Sequence, residues 1–328
     1  MQYYDVFNGD ADGICALQQL RLAEPRPEAR LVTGVKRDIR LLQQLAGVRE
    51  ARITVLDVSL DSNRNALLEL LKAGCEIFYA DHHFAGDMPQ SPNLKAHIDP
   101  SPEICTSLIV DRLLQGKYRP WAVAGAFGDN LETAAQQAAA SLSLAESSVA
   151  RLKELGEFLN YNGYGLSVSD LFCPPRELYR AVSVYTDPLD FCDDSDVLAR
   201  LRQGYGDDMA QALRHEPVRK TAAGRIYELP AKAWARRVAG VFSNLKAREE
   251  PGLAQGLLTK NPDGTYLVSV RAPLNRRQGA DTLCRGFPTG GGRAGAAGIN
   301  SLPPDQLALF FRRFEETFQL GAVDVEGD

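Results

Sequence analysis

Residues 2–13, QYYDVFNGDADG, begin as an apolar run and end in a turn that carries Asp10 and Asp12. The run has the length and residue types of a β-strand, and residues 13–22 after the turn have the apolar spacing of a helix. Further apolar runs at 30–35, 52–58 and 75–80 alternate with helical patterns at 38–46 and 61–73. This βαβα order predicts an α/β fold with a mostly parallel sheet flanked by helices.

Polar residues interrupt the chain where these strands are predicted to end, namely Asp10, Asp12, Asp57, Asp81, His82 and His83. In a sheet of this kind, ligands bind beyond the carboxyl ends of the strands. Asp10 and Asp12 are two apart on an extended segment and therefore point the same way. The Asp81–His82 pair offers one oxygen and one nitrogen ligand. DADG alone is explained by a helix-capping aspartate, but the motifs together predict a metal site.

The pattern changes along the chain. Helical patterns run from about Cys105 to Val182 and include WAVAGAFGDN, which carries Asp129. A stretch rich in Asp, Gly and Pro follows near 186–208, and beyond it GRIYELP and LAQGLLTKNPDGTYLVSVRAP read as strands, the latter as two joined by an Asn-Pro-Asp-Gly turn. We predict a first domain at 1–190 with a helical extension, a linker region at 191–215, and a smaller α/β domain at 216–328.

Composition and sequence patterns exclude several classes of protein and of site. The net charge of −5 argues against a protein that coats long nucleic acid by charge alone, since such domains are strongly basic. Six scattered cysteines without a CxxC pair predict neither a zinc-thiolate site nor a disulfide framework. No apolar run is long enough to span a membrane, and the first residues lack the features of a signal peptide, so we expect a cytoplasmic protein without a membrane partner.

The order of NGDADG, LDVS, ADHH and FGDN, followed downstream by SVRAP and GGGRAGAAG, resembles the DHH phosphoesterase superfamily, and the tail resembles its DHHA1 branch. That branch includes RecJ-type exonucleases, nanoRNases and phosphodiesterases that act on cyclic dinucleotides. The resemblance implies a DHH domain, a C-terminal DHHA1 domain and a cleft between them. It also implies a manganese-dependent phosphodiesterase or exonuclease-type hydrolase whose substrate is a short oligonucleotide or a dinucleotide.

The resemblance assigns a role to individual residues. The implied metal ligands are Asp10, Asp12, Asp57, His82 and Asp129, with Asp57 bridging two Mn²⁺ ions that activate a water for attack on phosphorus. Asp81 and His83 are the implied catalytic pair, and Arg271, Gly290, Gly291, Gly292 and Arg293 are implied to bind substrate. Elementary electrostatics agrees, because two carboxylates ~4 Å apart repel by roughly 4 kcal/mol at an effective dielectric near 20. Such a cluster favours bound cations, and this donor set suits Mn²⁺ or, less tightly, Mg²⁺.

Two positions depart from the family pattern. Asn8 stands where the family has a histidine, and Arg293 stands where its glycine loop continues into histidine. An amide oxygen is a weaker ligand than imidazole, so one metal position should lose affinity or shift toward Mg²⁺. Arg293 keeps a cation that grips phosphate but has no acid–base function at neutral pH.

Alternatives stay open at this point. The same metal chemistry would serve a phosphatase that acts on a small nucleoside phosphate, and a catalytically silent member would bind nucleotides or nucleic acid without turnover. Lys36 and Arg37 either meet substrate phosphate or face water. The oligomeric state, with a homodimer as one alternative, does not follow from the sequence.

Overall fold

The structure, a computed structural model, describes residues 1–319. It divides into two compact units, of which the first is Met1–Gly204 and the second begins at Tyr205. Each unit has its own sheet.

The first unit contains five strands, β1 (Gln2–Phe7), β2 (Arg30–Val32), β3 (Ala51–Leu56), β4 (Glu76–Asp81) and β5 (Leu94–Ile98). Its helices are α1 (Ala11–Ala23), α2 (Leu60–Lys72), α3 (Thr106–Leu113), α4 (Arg119–Gly128), α5 (Glu132–Ala140), α6 (Glu146–Gly163), α7 (Pro175–Val182) and α8 (Pro188–Asp194). A further helix, α9 (Asp196–Ala212), contains the division between the units. Short 3₁₀ turns occur at Leu41–Leu45 and Val168–Asp170.

The sheet of the first unit has the order β2-β1-β3-β4-β5, and every neighbouring pair is parallel. This confirms the predicted α/β fold with a parallel sheet. Val6, Val55 and Tyr79 pair in register on one face and are fully buried, and Phe7 and Leu56 are fully buried on the other face at the carboxyl ends of β1 and β3, as expected where helices cover both sides of a parallel sheet. Burial of each such side chain stabilises the fold by about 1.5–3 kcal/mol.

Two glycines bring helices close enough to position the end of α4. A Cβ at Gly156 would lie 2.1 Å from the Ala124 carbonyl oxygen, and a Cβ at Gly128 would lie 2.3 Å from the Cβ of Ala11. Both positions therefore exclude a larger residue. As a result, the carboxyl end of α4 packs against the first residue of α1, directly beside the end of β1.

The second unit contains β6 (Arg219–Lys220), β7 (Gly224–Leu229), α10 (Ala233–Glu249), β8 (Ala254–Lys260), β9 (Tyr266–Arg271), α11 (Ala280–Arg285), β10 (Gly290–Arg293), β11 (Ala296–Leu302), a 3₁₀ turn (Pro304–Gln306) and α12 (Leu307–Gln319). Its sheet is mixed, with the order β10-β11-β9-β8-β7-β6, and β7 and β8 are parallel with α10 between them in the chain. The predicted hairpin is present as β8 and β9, and Gly264 in its turn has φ +83°. On α12, Phe310, Phe314 and Phe318 are buried in the core of this unit.

Four details differ from the sequence-based expectation. Residues 38–46 contain a 3₁₀ turn instead of an α-helix, and β5 was not predicted because this edge strand is only half-buried and lacks an apolar run. The stretch near 186–208 is helical, because Asp187 caps α8 and Pro188 occupies its first turn. The expected glycine loop is instead the edge strand β10. Within residues 1–319, no helix combines the length and apolarity needed to cross a membrane.

Candidate metal centre

The register of the parallel sheet aligns three polar residues. Phe7 pairs with Leu56, and Leu56 pairs with Ala80, so the next residues along these strands are Asn8, Asp57 and Asp81. The backbone pairing continues past the strand ends, since Asn8 N–H donates to the Leu56 carbonyl at 3.2 Å and Asp57 N–H donates to the Ala80 carbonyl at 3.1 Å. All three side chains are nearly buried. The carboxyl ends of these strands therefore carry a row of side-chain oxygens that can act as metal ligands, as the sequence predicted.

Asp57 has an unusual backbone conformation. Its φ is +56°, in the left-handed region that few residues other than Gly, Asn and Asp adopt readily. The turn at this residue ends β3 and leads into α2, which Ser59 caps through its hydroxyl. The carboxylate lies beside Thr106, whose Oγ1 donates to Asp57 Oδ1 at 3.4 Å.

Asp10 and Asp12 hold the turn between β1 and α1 in place. Asp10 caps α1, because its Oδ1 accepts from the backbone N–H groups of Asp12 and Gly13 at 3.1 and 3.2 Å. Asp12 reaches across to α3, where its two carboxylate oxygens accept from the N–H groups of Thr106 and Ser107, each at 2.7 Å. The capping interpretation and the site interpretation of DADG are thus compatible.

His82 is oriented for ligation. Its Nδ1 donates to the Ile104 carbonyl oxygen at 3.0 Å, which leaves Nε2 as the acceptor nitrogen. That Nε2 lies 3.4 Å from Asp57 Oδ1 and 3.7 Å from Asp129 Oδ2. A metal-ligating histidine is commonly held in this way, with its second ring nitrogen donating to a carbonyl or carboxylate.

Lys36 also lies within the acidic cluster. Its Nζ is 2.5 Å from Asp10 Oδ2, 3.2 Å from Asp129 Oδ1 and 3.0 Å from Asn160 Oδ1. Lys36 therefore makes three contacts inside the acidic cluster, which sequence reasoning did not predict. Sequence reasoning missed Asn160 altogether, because an asparagine inside a helical pattern gives no signal of its own.

The electrostatics follow from this packing. Burial, together with the charges of Asp10 and Asp12, raises the pKa of Asp57 well above its usual value. Burial also raises the pKa of Asp129, although Lys36 opposes the rise. For Asp10, burial is outweighed by Lys36, which lowers the pKa of that carboxyl. For Lys36, burial is outweighed by Asp10 and Asp129, which raise the pKa of the ammonium.

His83 and Asp81 form a hydrogen-bonded pair beside this cluster. Nδ1 of His83 lies 2.7 Å from Oδ1 of the fully buried Asp81. Burial opposes charge on the imidazole, but the hydrogen bond to Asp81 outweighs it and raises the pKa of His83. The His83 side chain is 41% exposed, so this ring is oriented by a buried carboxylate and remains accessible.

The donor set fits a divalent cation. Ligand atoms of Asp12, His82 and Asp129 lie within 4.8 Å of one another, as do those of Asp57, His82 and His83. When metal–ligand distances are about 2.1 Å, neighbouring ligand atoms of one ion are roughly 3 Å apart. The distances from His82 Nε2 to Asp57 Oδ1 and to Asp129 Oδ2 are close to this value. Asn8 adds a buried Oδ1 without a hydrogen-bond partner. The sequence-predicted residues Asp10, Asp12, Asp57, His82 and Asp129 are thus brought together at one edge of the sheet.

The residues predicted to bind substrate lie in the second unit. Arg293 pairs with Ala296 across β10 and β11, and Ala296 pairs with Arg271 across β11 and β9. Directly paired residues share a face of a sheet, so the two arginines flank the small Ala296 on one face. Arg271 is held by Asn244 of α10, whose Oδ1 accepts from its Nε at 2.8 Å. Gly290 has no room for a side chain, since a Cβ would lie 1.7 Å from the Cys284 carbonyl oxygen.

Comparison with known proteins found no matching family model and no match among curated proteins. Solved structures do match. An exonuclease RecJ bound to manganese has a TM-score of 0.60 at 13% identity, covering 96% of this chain and 89% of that one. RecJ from Thermus thermophilus in complex with Mn²⁺ has a TM-score of 0.57 at 14% identity, covering 97% of this chain, which spans only 52% of that protein.

The pGpG-specific phosphodiesterase PggH from Vibrio cholerae has a TM-score of 0.56 at 15% identity, covering 95% of this chain and 99% of that one. RecJ and PggH are both built from the DHH and DHHA1 domains that the ordered motifs of this chain resemble. The likeness therefore confirms the resemblance at the level of the fold: this chain has the fold of the DHH/DHHA1 phosphoesterases.

Proposed function

We propose that this protein is a metal-dependent phosphodiesterase that cleaves short or single-stranded nucleic acid or small dinucleotides. The observation that carries the proposal is the orientation of His82, whose Nδ1 is tied to a carbonyl while Nε2 faces Asp57 and Asp129. A cluster of buried carboxylates around a free imidazole nitrogen has the donor chemistry of a divalent-cation site. The fold shared with RecJ and PggH supports the same assignment.

In this proposal Asp12, Asp57, His82 and Asp129 hold the cation, with Mn²⁺ the first candidate and Mg²⁺ the second. When bound, the ion would supply Lewis-acid activation of water and neutralise charge on the phosphate. The protein contributes the rigid frame. Asp12 is fixed by two backbone N–H groups of α3, and His82 is fixed by Ile104.

His83 is the proposed proton donor to the leaving oxygen. The Asp81 carboxylate accepts from Nδ1 and so directs Nε2 away from itself. It also raises the pKa of His83, which increases the protonated fraction near neutral pH. Such a pair resembles the oriented histidines of other acid–base sites, where a buried carboxylate fixes the ring.

Arg271 and Arg293 are the proposed substrate contacts, with Gly290, Gly291 and Gly292 allowing close approach of the backbone to a phosphate. The two arginines lie on alternate strands with one strand between them, about 10 Å apart at the backbone, and both present a cation to a phosphate-bearing substrate on the same face of the sheet. The net charge of −5 favours such short substrates, because long-strand binding requires many cationic contacts. The six free cysteines fit a reducing compartment such as the cytoplasm.

The test is a substrate panel with the full-length chain. A linear dinucleotide, a short oligonucleotide and a long single strand are each incubated with Mn²⁺ or Mg²⁺, and nucleotide products are separated chromatographically. We expect mononucleotide release from the two short substrates with Mn²⁺, and none from the Asp57→Asn variant. A nucleoside phosphate is included as a fourth substrate, and release of inorganic phosphate from it alone would indicate a phosphatase. Binding without any product would indicate a silent member and would refute the proposal.

A further inference from the structure

The ammonium group of Lys36 sits among three oxygen atoms. Asp10, Asp129 and Asn160 each contribute one oxygen, at 2.5, 3.2 and 3.0 Å from Nζ. An ammonium has three N–H donors and no acceptor, so the number of oxygens equals the number of donors. Two of the three are carboxylate oxygens from residues that the family resemblance assigns to metal ions. The environment of Nζ is that of a bound cation.

We propose that Lys36 permanently fills one of the two cation positions, so that the site binds a single divalent ion. The inference rests on the proposed function, because it concerns the number of ions in that metal centre. In this arrangement the lysine supplies the positive charge that holds Asp10 and Asp129 together. The divalent ion occupies the other position, next to His82.

The two oxygens of Asp129 divide between these positions. Oδ1 accepts from Lys36, whereas Oδ2 faces His82 Nε2 at 3.7 Å. The carboxylate therefore bridges the ammonium and the remaining site, in the way that a bridging carboxylate joins two ions. The other members of the remaining site are Asp57, which lies 3.4 Å from His82 Nε2, and Asp12.

Lys36 is held in place through its backbone as well as through its side chain. Its backbone N–H donates to the Gly163 carbonyl at 2.8 Å, and its carbonyl accepts from Asn8 Nδ2 at 3.2 Å. The ring of Tyr164 lies 5.7 Å from Nζ, within range of a cation–π contact. The side chain is only 27% exposed.

The substitution at Asn8 is consistent with this arrangement. Asn8 stands where the resembled family has histidine, and its amide Nδ2 is used to hold the backbone of Lys36. An imidazole ligand has no ion to bind if the neighbouring position already contains an ammonium. The asparagine that stands in place of a family ligand and the internal ammonium group therefore lie side by side in the site.

The experiment counts Mn²⁺ ions on the full chain after chelation and dialysis. Free Mn²⁺ is followed by electron paramagnetic resonance during titration of the wild type, Lys36→Met, Lys36→Arg and, as a surface control, Lys95→Met. We expect one ion per chain for the wild type, for the Lys36→Arg variant, which keeps the charge, and for the Lys95→Met control. The Lys36→Met variant leaves Asp10 and Asp129 without their cation, and we expect it to bind two ions.

A second measurement needs no variant. Two Mn²⁺ ions about 3.5–4 Å apart would couple magnetically, so excess Mn²⁺ on the wild type should give only the spectrum of an isolated bound ion. Two ions on the wild type, or a coupled spectrum, would overturn the inference and leave the proposed function intact. One ion on Lys36→Met would also overturn it. No ion on any variant would refute the metal centre and the proposed function together.

Discussion

Nε2 of His82 lies 3.4 Å from Oδ1 of Asp57, although the two residues end different strands of the sheet. The parallel register brings them together, because β3 and β4 terminate at the same level. The other nitrogen of the ring is already satisfied by a carbonyl. The pair is therefore set up to share a cation, and each member can be tested separately.

Asp57→Asn should abolish metal-dependent turnover while leaving the fold intact. Asn adopts the φ of +56° at this position as readily as Asp does, so the variant changes charge with little backbone strain. Mutation of a residue that only holds a metal ligand in place lowers metal affinity or activity about 10–100-fold. We therefore expect removal of a ligand itself to lower turnover by more than ~100-fold. The measurements are nucleotide release and calorimetric Mn²⁺ binding. The matched control is Asp61→Asn, an exposed aspartate in α2; equal turnover in Asp57→Asn and wild type would refute the ligand assignment.

Without metal, the same variant should be more stable than the wild type. Burial and the neighbouring carboxylates raise the pKa of Asp57, so the folded state disfavours its charge. A raised pKa contributes stability at low pH that is lost as the pH rises above the unfolded value, near 3.8. In chelator, the melting temperature of Asp57→Asn should therefore exceed that of wild type by a margin that grows between pH 4 and 7. A constant margin would contradict this account.

The two histidines with shifted pKa values should separate in a proton NMR titration of the metal-free protein. The hydrogen bond to Asp81 raises the pKa of His83 above 6.5, whereas burial and Lys95 lower that of His97. The chain has four histidines, which makes assignment by single substitution practical. Asp81→Asn should bring the His83 pKa down and leave that of His97 unchanged. A His83 resonance that does not respond to Asp81→Asn would rule out the pairing.

Asp12→Asn should weaken the fold itself. Both Asp12 oxygens accept from backbone N–H groups of Thr106 and Ser107, and an amide would place an NH₂ against one of these donors. One buried N–H group then loses its acceptor, which costs about 1–3 kcal/mol. Urea unfolding in chelator measures the loss free of any metal effect. Ser107→Ala, which removes the hydroxyl but keeps both N–H contacts, is the milder control, and stability of Asp12→Asn equal to that of the wild type would contradict the prediction.

Sequence patterns predicted the parallel sheet and the acidic edge because both depend on local order. Each aspartate follows an apolar run that forms a strand. Because the carboxyl ends of neighbouring parallel strands lie at the same end of the sheet, Asp57 and Asp81 were expected to lie close together. The strand β5 was missed because an edge strand with half-buried residues lacks an apolar run. The helix α8 was missed because Asp187 and Pro188 read equally well as a turn or as a helix start.

The role of Lys36 was beyond sequence reasoning for a different reason. Its three partners lie at or next to the ends of α1 and α4 and within α6, and glycines such as Gly128 and Gly156 allow these helices to pack closely. The spacing of residues in the sequence does not indicate that these helices pack together. The nature of a lysine's neighbours is a tertiary property, whereas the capping role of Asp10 could be predicted from the DADG turn alone.

Phe84 supplies the last test, which concerns the class of substrate. Its side chain is 75% exposed and directly follows His83, the proposed proton donor. Stacking of a nucleobase on an aromatic ring is worth about 1–3 kcal/mol, so Phe84→Ala should raise KM for a dinucleotide roughly 5–150-fold with a smaller effect on kcat. Phe84→Tyr should retain stacking, and Val184→Ala, at an equally exposed position, should have no effect. An unchanged KM for the dinucleotide in Phe84→Ala would show that the ring does not contact a base, whereas equal weakening for a phosphodiester without a base would show a structural role instead.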